Sequence, residues 1–211
     1  MIVYMCVSPL IHKDRQVKKM ARLILASSSP RRKEILKQVQ PQFDIITREV
    51  DETVEALLAP EEQVMTLAIR KAEAVAKDNV DAYVIGADTL VFYQDEALGK
   101  PKSYDEAKQM LTLLSGNTHF VYTGTCIFHE NKKQVFYEKT KVTFWELTEK
   151  EIEDYIRTGE PFDKAGSYGI QGYGATLVKE IHGDYFSVVG LPIAKLYRTL
   201  TQMGFTFAIN K

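Results

Sequence analysis

A strand that feeds a helix through three serines and a proline limits this chain more than any other local feature. Arg22–Ala26 (RLILA) is apolar and short, as a buried strand should be, and an amphipathic segment follows to about Val39. Ser27-Ser28-Ser29-Pro30 joins the two, with Ser29 at the N-cap position and Pro30 at the first helical position. A parallel α/β arrangement is built from such units. The helix start is also an anion site, because its first N–H groups lack intrahelical partners. Arg31 and Arg32 stand in that first turn, where positive charge opposes the helix dipole unless an anion is present. Ser27 and Ser29 add hydroxyl donors. The plain alternative is a serine cap followed by solvated arginines.

A second helix is expected from about Pro60 to Asp78. Val64, Leu67, Ala68, Ala72 and Val75 form its apolar stripe, and Lys71 falls on that stripe. An inward lysine needs a partner or a wet cleft; a lysine snorkelling at the stripe's edge is the structural alternative. A lysine reserved for substrate phosphate should be replaceable by Met with no loss of melting temperature. Tyr83–Ala87 reads as a buried strand ending at Asp88-Thr89, with Leu90–Tyr93 continuing extended. A carboxylate at a strand end is where α/β folds place functional groups. Asp51 and Glu52 lie in an acidic loop, Glu49–Glu52, that could approach Asp88. Carboxylates with water suit Mg²⁺ or Mn²⁺ beside a phosphate. By itself, a strand-end Asp is more often a turn cap.

Further along, Ser103 with Glu106 and Thr148 with Glu151 mark two more helix starts. Thr118–His129 and Gln134–Leu147 form a long hairpin around Glu130–Lys133. A glycine-rich stretch, Gly159–Gly174, precedes paired short strands near Ala175–His182 and Tyr185–Val189. A last helix, Leu191–Met203, and a closing strand, Phe205–Ile209, complete the reading. Within the glycine-rich stretch, Gln171 offers an amide with both donor and acceptor, and the glycines allow backbone to approach a ligand. Lys100 sits in a turn, Gly99-Lys100-Pro101. The expected fold is α/β, a mixed sheet with flanking helices, in two lobes around a central cleft.

Composition narrows the function. The chain of 211 residues is 45% hydrophobic and 26% charged, which excludes disorder as its main character. Residues 1–22 carry five Lys or Arg and one Asp, leaving 22 basic and 27 acidic residues for the remainder. A net acidic body is no general nucleic-acid binder. No stretch is apolar for long enough to span a bilayer, so no membrane partner is expected. Two cysteines, Cys6 and Cys126, cannot form a thiolate zinc site and fit a reducing cytoplasm. No GxxxxGK[ST] loop, strand-led GxGxxG, GxSxG or HExxH occurs. His12, His119, His129 and His182 are scattered and read as structural or surface residues.

Taken together, LILASSSPRRKEIL (23–36), EVDE (49–52), LAIRKAEAVA (67–76), VIGADTLV (84–91), LGKP (98–101), MLTLLSG (110–116), EPFDKAGSYGIQG (160–172) and GDYFSVVGLPI (183–193) resemble the Maf family of nucleoside triphosphate pyrophosphatases. Ser167 is a mild departure, since the family often has Ala there. The resemblance implies a Maf/ITPase-like cleft and hydrolysis of a nucleoside triphosphate to the monophosphate and diphosphate, a house-cleaning role in nucleotide pools. It implies a divalent metal, Mg or Mn, held by Asp88, Glu52 and Asp51. Asp88 matches the family's proton acceptor, with Glu52 and Lys71 beside it in catalysis. Arg31, Thr89 and Gln171 match positions linked to substrate choice, and their combination resembles the dTTP/UTP branch. Arg32, Lys71, Lys100 and Lys164 would stabilise phosphate charge, with Ser27 and Ser29 cradling the chain. Gln171 would pair with the N3–H and O4 edge of thymine or uracil. The competing reading, a non-catalytic nucleotide-binding regulator of cell division, would not need the carboxylates. A homodimer is a candidate assembly.

The resemblance covers nothing before residue 21, so residues 1–21 are expected to be an extension and 22–211 a single domain. Met20 stands just before the first strand. A chain begun at Met20 should therefore keep its activity and its melting temperature. Loss of either on truncation would show that the arm packs on the domain or completes an interface.

Overall fold

A computed structural model describes residues 21–54 and 58–208. Apart from its last residue, the expected N-terminal extension lies outside the described residues, as do Cys6 and His12. The strands are β1 (Leu23–Leu25), β2 (Asp44–Ile45), β3 (Tyr83–Tyr93), β4 (Glu96–Leu98), β5 (Thr118–His129), β6 (Lys132–Phe144) and β7 (Val178–His182). The helices are α1 (Pro30–Lys37), α2 (Pro60–Ala76), α3 (Tyr104–Leu114), α4 (Glu149–Arg157), α5 (Tyr185–Val189) and α6 (Ile193–Gln202). All seven strands join one mixed sheet in the order β2-β1-β3-β5-β6-β7, with β4 paired to β3. β1 runs parallel to both β2 and β3, and the rest of the ladder is antiparallel. The α/β class and flanking helices expected from the sequence are what the chain forms. Among the described residues no helix is long and apolar enough to cross a membrane.

α2 has the stripe that the sequence predicts, and Val64, Leu67, Ala68, Ala72 and Val75 are all buried. It packs on β3 and β5 through two glycines. A Cβ on Gly86 would stand 2.4 Å from the Ala68 carbonyl oxygen, and one on Gly124 would stand 2.3 Å from that of Val64. Helix backbone therefore lies directly on sheet backbone, which only glycine permits. On the opposite face two apolar clusters form. One gathers β1, α1 and α6 around Leu25, Leu36 and Leu196; the other gathers α3, α4 and the far end of β3 around Leu111, Tyr155 and Val91. These clusters are the two lobes, and the cleft runs between them.

Several expectations need correction. Asp88 is not at a strand end: β3 continues unbroken through it to Tyr93 because β5 pairs with the strand along its length, from Val84 to Phe92. Tyr185–Val189 is a helix rather than a strand, since the Asp184 carboxylate caps it by accepting from the Ser187 N–H and Gly190 at φ 124° ends it. Phe205–Ala208 forms no strand, and Ile209 lies outside the described residues. Phe205 and Phe207 instead pack edge to face at 5.0 Å and close the first cluster. Ser29 occupies the N-cap of α1 without making a side-chain cap bond. At α3, Ser103 accepts from the Glu106 N–H, but Glu106 reaches back to the Lys102 N–H, so the capping box is only half made. At α4 the box is complete.

His119 is fully buried between Phe144 and Tyr168, with Nε2 2.7 Å from the Tyr168 hydroxyl. Burial pushes its pKa down to about 4. Between that value and the unfolded value near ~6.5, the unfolded chain binds a proton that the folded chain refuses. Stability from this group is therefore complete above about pH 6.5 and is lost as pH falls toward 4, by on the order of 3 kcal/mol. Carboxylates also titrate there, so the comparison is with His119→Gln. The urea midpoint of the parent should fall more steeply between pH 7 and 4.5 than that of the variant; parallel slopes would show that His119 protonates freely in the folded state.

Candidate active site

The site begins as an interruption in the sheet. On one edge of β3, β1 pairs with Tyr83–Ile85 and β4 pairs with Val91–Tyr93. Gly86–Leu90 has no strand on that edge, because β1 stops at Leu25 and the chain turns through the serines into α1. Asp88 and Thr89 lie in this gap. A cleft of about 1130 Å³ opens over it, and every residue that the sequence nominated for the site lines it except Asp51.

Asp88 is buried to 8% exposure, and its carboxylate accepts from the Lys71 ammonium at 2.5 Å. The same Nζ lies 2.8 Å from a Glu52 oxygen. Lys71 is the inward lysine of α2, delivered to β3 by the glycine contact described above. Its ammonium holds the Glu52 carboxyl below the usual carboxylate range, with Lys100 and Arg32 adding to the effect from further off. Asp51 does not join them. Its carboxylate accepts from the Thr53 N–H at 2.8 Å and is spent in its own loop. Among the described residues no group of three or more His, Cys, Asp and Glu is drawn together at one point. Asp88 and Glu52 do converge on one point, and two hard oxygen donors beside substrate phosphates suit Mg²⁺ or Mn²⁺.

The two arginines part company. Arg31 reaches across the cleft to Asp163 at 2.7 Å. Arg32 is tied to the cleft floor by three bonds: Nε donates to the Gly190 carbonyl at 2.8 Å, and its two terminal nitrogens donate to Ser27 Oγ at 3.2 Å and Thr89 Oγ1 at 3.1 Å. Burial works to lower the Arg32 pKa, and the charges of Asp88 and Glu52 work against that fall. Behind Arg32 runs a chain of hydroxyls. Thr123 donates to the Ser187 carbonyl at 2.7 Å, so toward Thr89, 2.9 Å away, it can only accept. The Thr89 proton is thus committed inward and its lone pair to Arg32. Thr89 faces the cleft as an acceptor and anchors the guanidinium. Sequence reading missed Thr123 and the Gly190 carbonyl, since their partners lie across the sheet and leave no local pattern.

On the far wall stands the glycine-rich segment, folded into short 3₁₀ turns. Lys164 is turned into its own loop, bonded to Asp163 at 2.7 Å and to the Glu160 carbonyl. Lys100 has no ion-pair partner among the described residues and lies on the rim. Gln171 is exposed within the cleft lining.

Comparison with known proteins decides the kinship. Residues 22–203 match the family described as Maf-like protein. The chain belongs to the Maf family. Two relatives from strains of Bacillus cereus, each called dTTP/UTP pyrophosphatase, are 58% and 55% identical to it over 183 and 195 residues. The matches span 87% and 92% of this chain and 96% of each relative. A solved structure, the Ham1 protein of Staphylococcus aureus, aligns over 74% of this chain and 79% of its own at 18% identity, with a TM-score of 0.44. In this Maf protein the catalytic candidates are also each other's counter-ions, which changes what a Lys71 variant should do. Lys71→Met leaves the buried Asp88 carboxylate without its ammonium, so the stability expected from sequence alone does not hold. The variant should lose about 2 kcal/mol or more, lowering the melting temperature by at least roughly 4–8 °C for a domain of this size. An unchanged thermal melt would show that Asp88 does not rely on Lys71.

Proposed function

We propose that this protein hydrolyses the pyrimidine nucleoside triphosphates dTTP and UTP to the monophosphate and diphosphate, with a divalent cation. The observation that carries the reading is the convergence of Lys71, Asp88 and Glu52 at the floor of a cleft that is walled by arginines and large enough for a nucleotide. Full-length relatives called dTTP/UTP pyrophosphatase support the substrate class. The cytoplasm is the proposed compartment.

Water attacks the α-phosphorus, the bond to the oxygen bridging to the β-phosphorus breaks, and diphosphate leaves with that electron pair. Asp88 orients the water and takes its proton. The carboxylate is held in place by the Lys71 ammonium, so orientation contributes more than basicity. Glu52 and Asp88 would hold Mg²⁺ or Mn²⁺, which when bound withdraws charge from the phosphates and lowers the pKa of water. Arg32 is oriented before substrate arrives, because three of its donors are fixed by protein oxygens; the remaining N–H groups are left for phosphate. Arg31 and Lys164 share Asp163, and a phosphate chain would compete with that carboxylate for both. Lys100, Ser27 and Ser29 line the path of the chain. Gln171 offers a donor and an acceptor to the pyrimidine edge, and a guanine edge would leave both mispaired, costing several kcal/mol when buried.

A nucleotide panel with Mg²⁺ or Mn²⁺ tests this, with products separated by chromatography. Turnover should favour dTTP and UTP and yield monophosphate with diphosphate. Nucleoside diphosphate with orthophosphate, or equal turnover of GTP, would overturn the reading. Asp88→Asn should abolish turnover, by about three orders of magnitude or more, since both the charge and the proton acceptor are lost. The amide fits the same space, so nucleotide should still raise the melting temperature. Near-parent turnover in that variant would remove Asp88 from catalysis.

A further inference from the structure

Among the described residues the Gln171 side chain has no hydrogen-bond partner, yet a side chain that selects a base must be held within a fraction of an ångström. What holds it is the backbone on either side. Before it, Ile170 is buried in the cluster formed with β1 and α1, and the Gly169 N–H donates to the Tyr155 hydroxyl at 3.1 Å. After it, the Glu160 carboxylate accepts from two consecutive N–H groups, Tyr173 at 3.0 Å through Oε1 and Gly174 at 3.3 Å through Oε2. The loop is also closed upon itself. A Cβ on Gly174 would stand 2.2 Å from the Gly169 carbonyl oxygen, so the two stems touch through backbone. Gly172, at φ 63°, lies so close to Glu160 that a Cβ would stand 2.6 Å from Oε1. Glu160 is itself fixed: its N–H donates to Thr158 Oγ1 at 3.1 Å and its carbonyl accepts from Lys164.

We propose that Glu160 is a positioning residue for base selection, a carboxylate that grips residues 173 and 174 and so fixes Gln171 at the apex of the loop, with the Tyr155 hydroxyl securing the other stem. The proposal rests on the reading of Gln171 as the residue that meets the base. Glu160 faces the backbone of its own loop and touches neither the carboxylates nor the phosphate-binding cations through its carboxylate. Its removal should therefore loosen selection while leaving the reacting groups in place. Charge matters here as well as shape, since an ionised carboxylate accepts two N–H bonds more strongly than a neutral amide can. An amide at this position would keep one acceptor and turn its donor toward the second N–H.

The test is the ratio of kcat/KM for dTTP to that for dGTP, measured on the full chain with Mg²⁺ for the parent, Gln171→Ala, Glu160→Ala, Glu160→Gln and Tyr155→Phe. A ratio is indifferent to the fraction of folded protein, so a merely structural role would scale both substrates alike. Gln171→Ala and Glu160→Ala should each lower the ratio at least about tenfold, with Glu160→Gln between parent and Ala. If Glu160→Ala does not fold, Tyr155→Phe, which removes a single acceptor, should still lower the ratio. A ratio lowered by Gln171→Ala but unchanged in the Glu160 and Tyr155 variants overturns the positioning role alone. A ratio unchanged in Gln171→Ala, or a parent that turns over neither substrate, overturns the reading of Gln171 and this inference with it.

Discussion

The ammonium of Lys71, shared by Asp88 and Glu52, is the interaction on which the site depends. It draws together a helix, a central strand and a loop, and it does so with charge that burial would otherwise penalise. Neither carboxylate would be placed as it is without that cation. The ammonium itself arrives only because α2 rests on Gly86 and Gly124 with backbone against backbone. A packing decision made by two residues without side chains thus sets the electrostatics of the cleft.

Around this centre the cations are graded by how firmly the protein holds them. Arg32 is fixed by three oxygens and belongs to the floor; Arg31 and Lys164 are lent to one exposed carboxylate, Asp163; Lys100 has no ion-pair partner among the described residues. Under the proposed function, a polyphosphate would meet both loosely held and rigidly held cations in this cleft. In the proposed reaction, electrostatic preorganisation would be concentrated at Arg32, while the outer contacts would adapt to the incoming chain.

Much of this was legible in the sequence where the signal is local. The strand–serine–helix junction, the stripe of α2 with Lys71 upon it, and the complete capping box at Thr148 all follow from periodicity and short-range hydrogen bonding. What escaped depends on partners brought close by tertiary structure. Asp88 reads as a strand end because Asp-Thr interrupts an apolar run, yet the long ladder with β5 carries the strand through it. Tyr185–Val189 is rich in β-formers, but a cap at Asp184 and a positive-φ glycine enclose it as a helix. Asp51 and Glu52 are neighbours in sequence, and only the bond from the Thr53 N–H shows that they face different ways. Thr123 carries no pattern that would distinguish it from any buried threonine, and nothing local shows that the Glu160 carboxylate turns back onto the Tyr173 and Gly174 N–H groups.

The gap beside β3 has one more consequence. Were β1 to continue in register through Ser29, it would run alongside β3 as far as Thr89 and close most of the gap on that edge. Thermodynamics alone favours that longer strand, because each added rung would satisfy backbone groups now left to solvent or ligand. Pro30 and the helix it begins stand in the way. The opening is thus a standing conflict between cohesion and access, settled within the few residues from Ala26 to Pro30. A family descended from such a chain could drift widely on its surface, yet at this junction each gain in sheet would be a loss of enzyme.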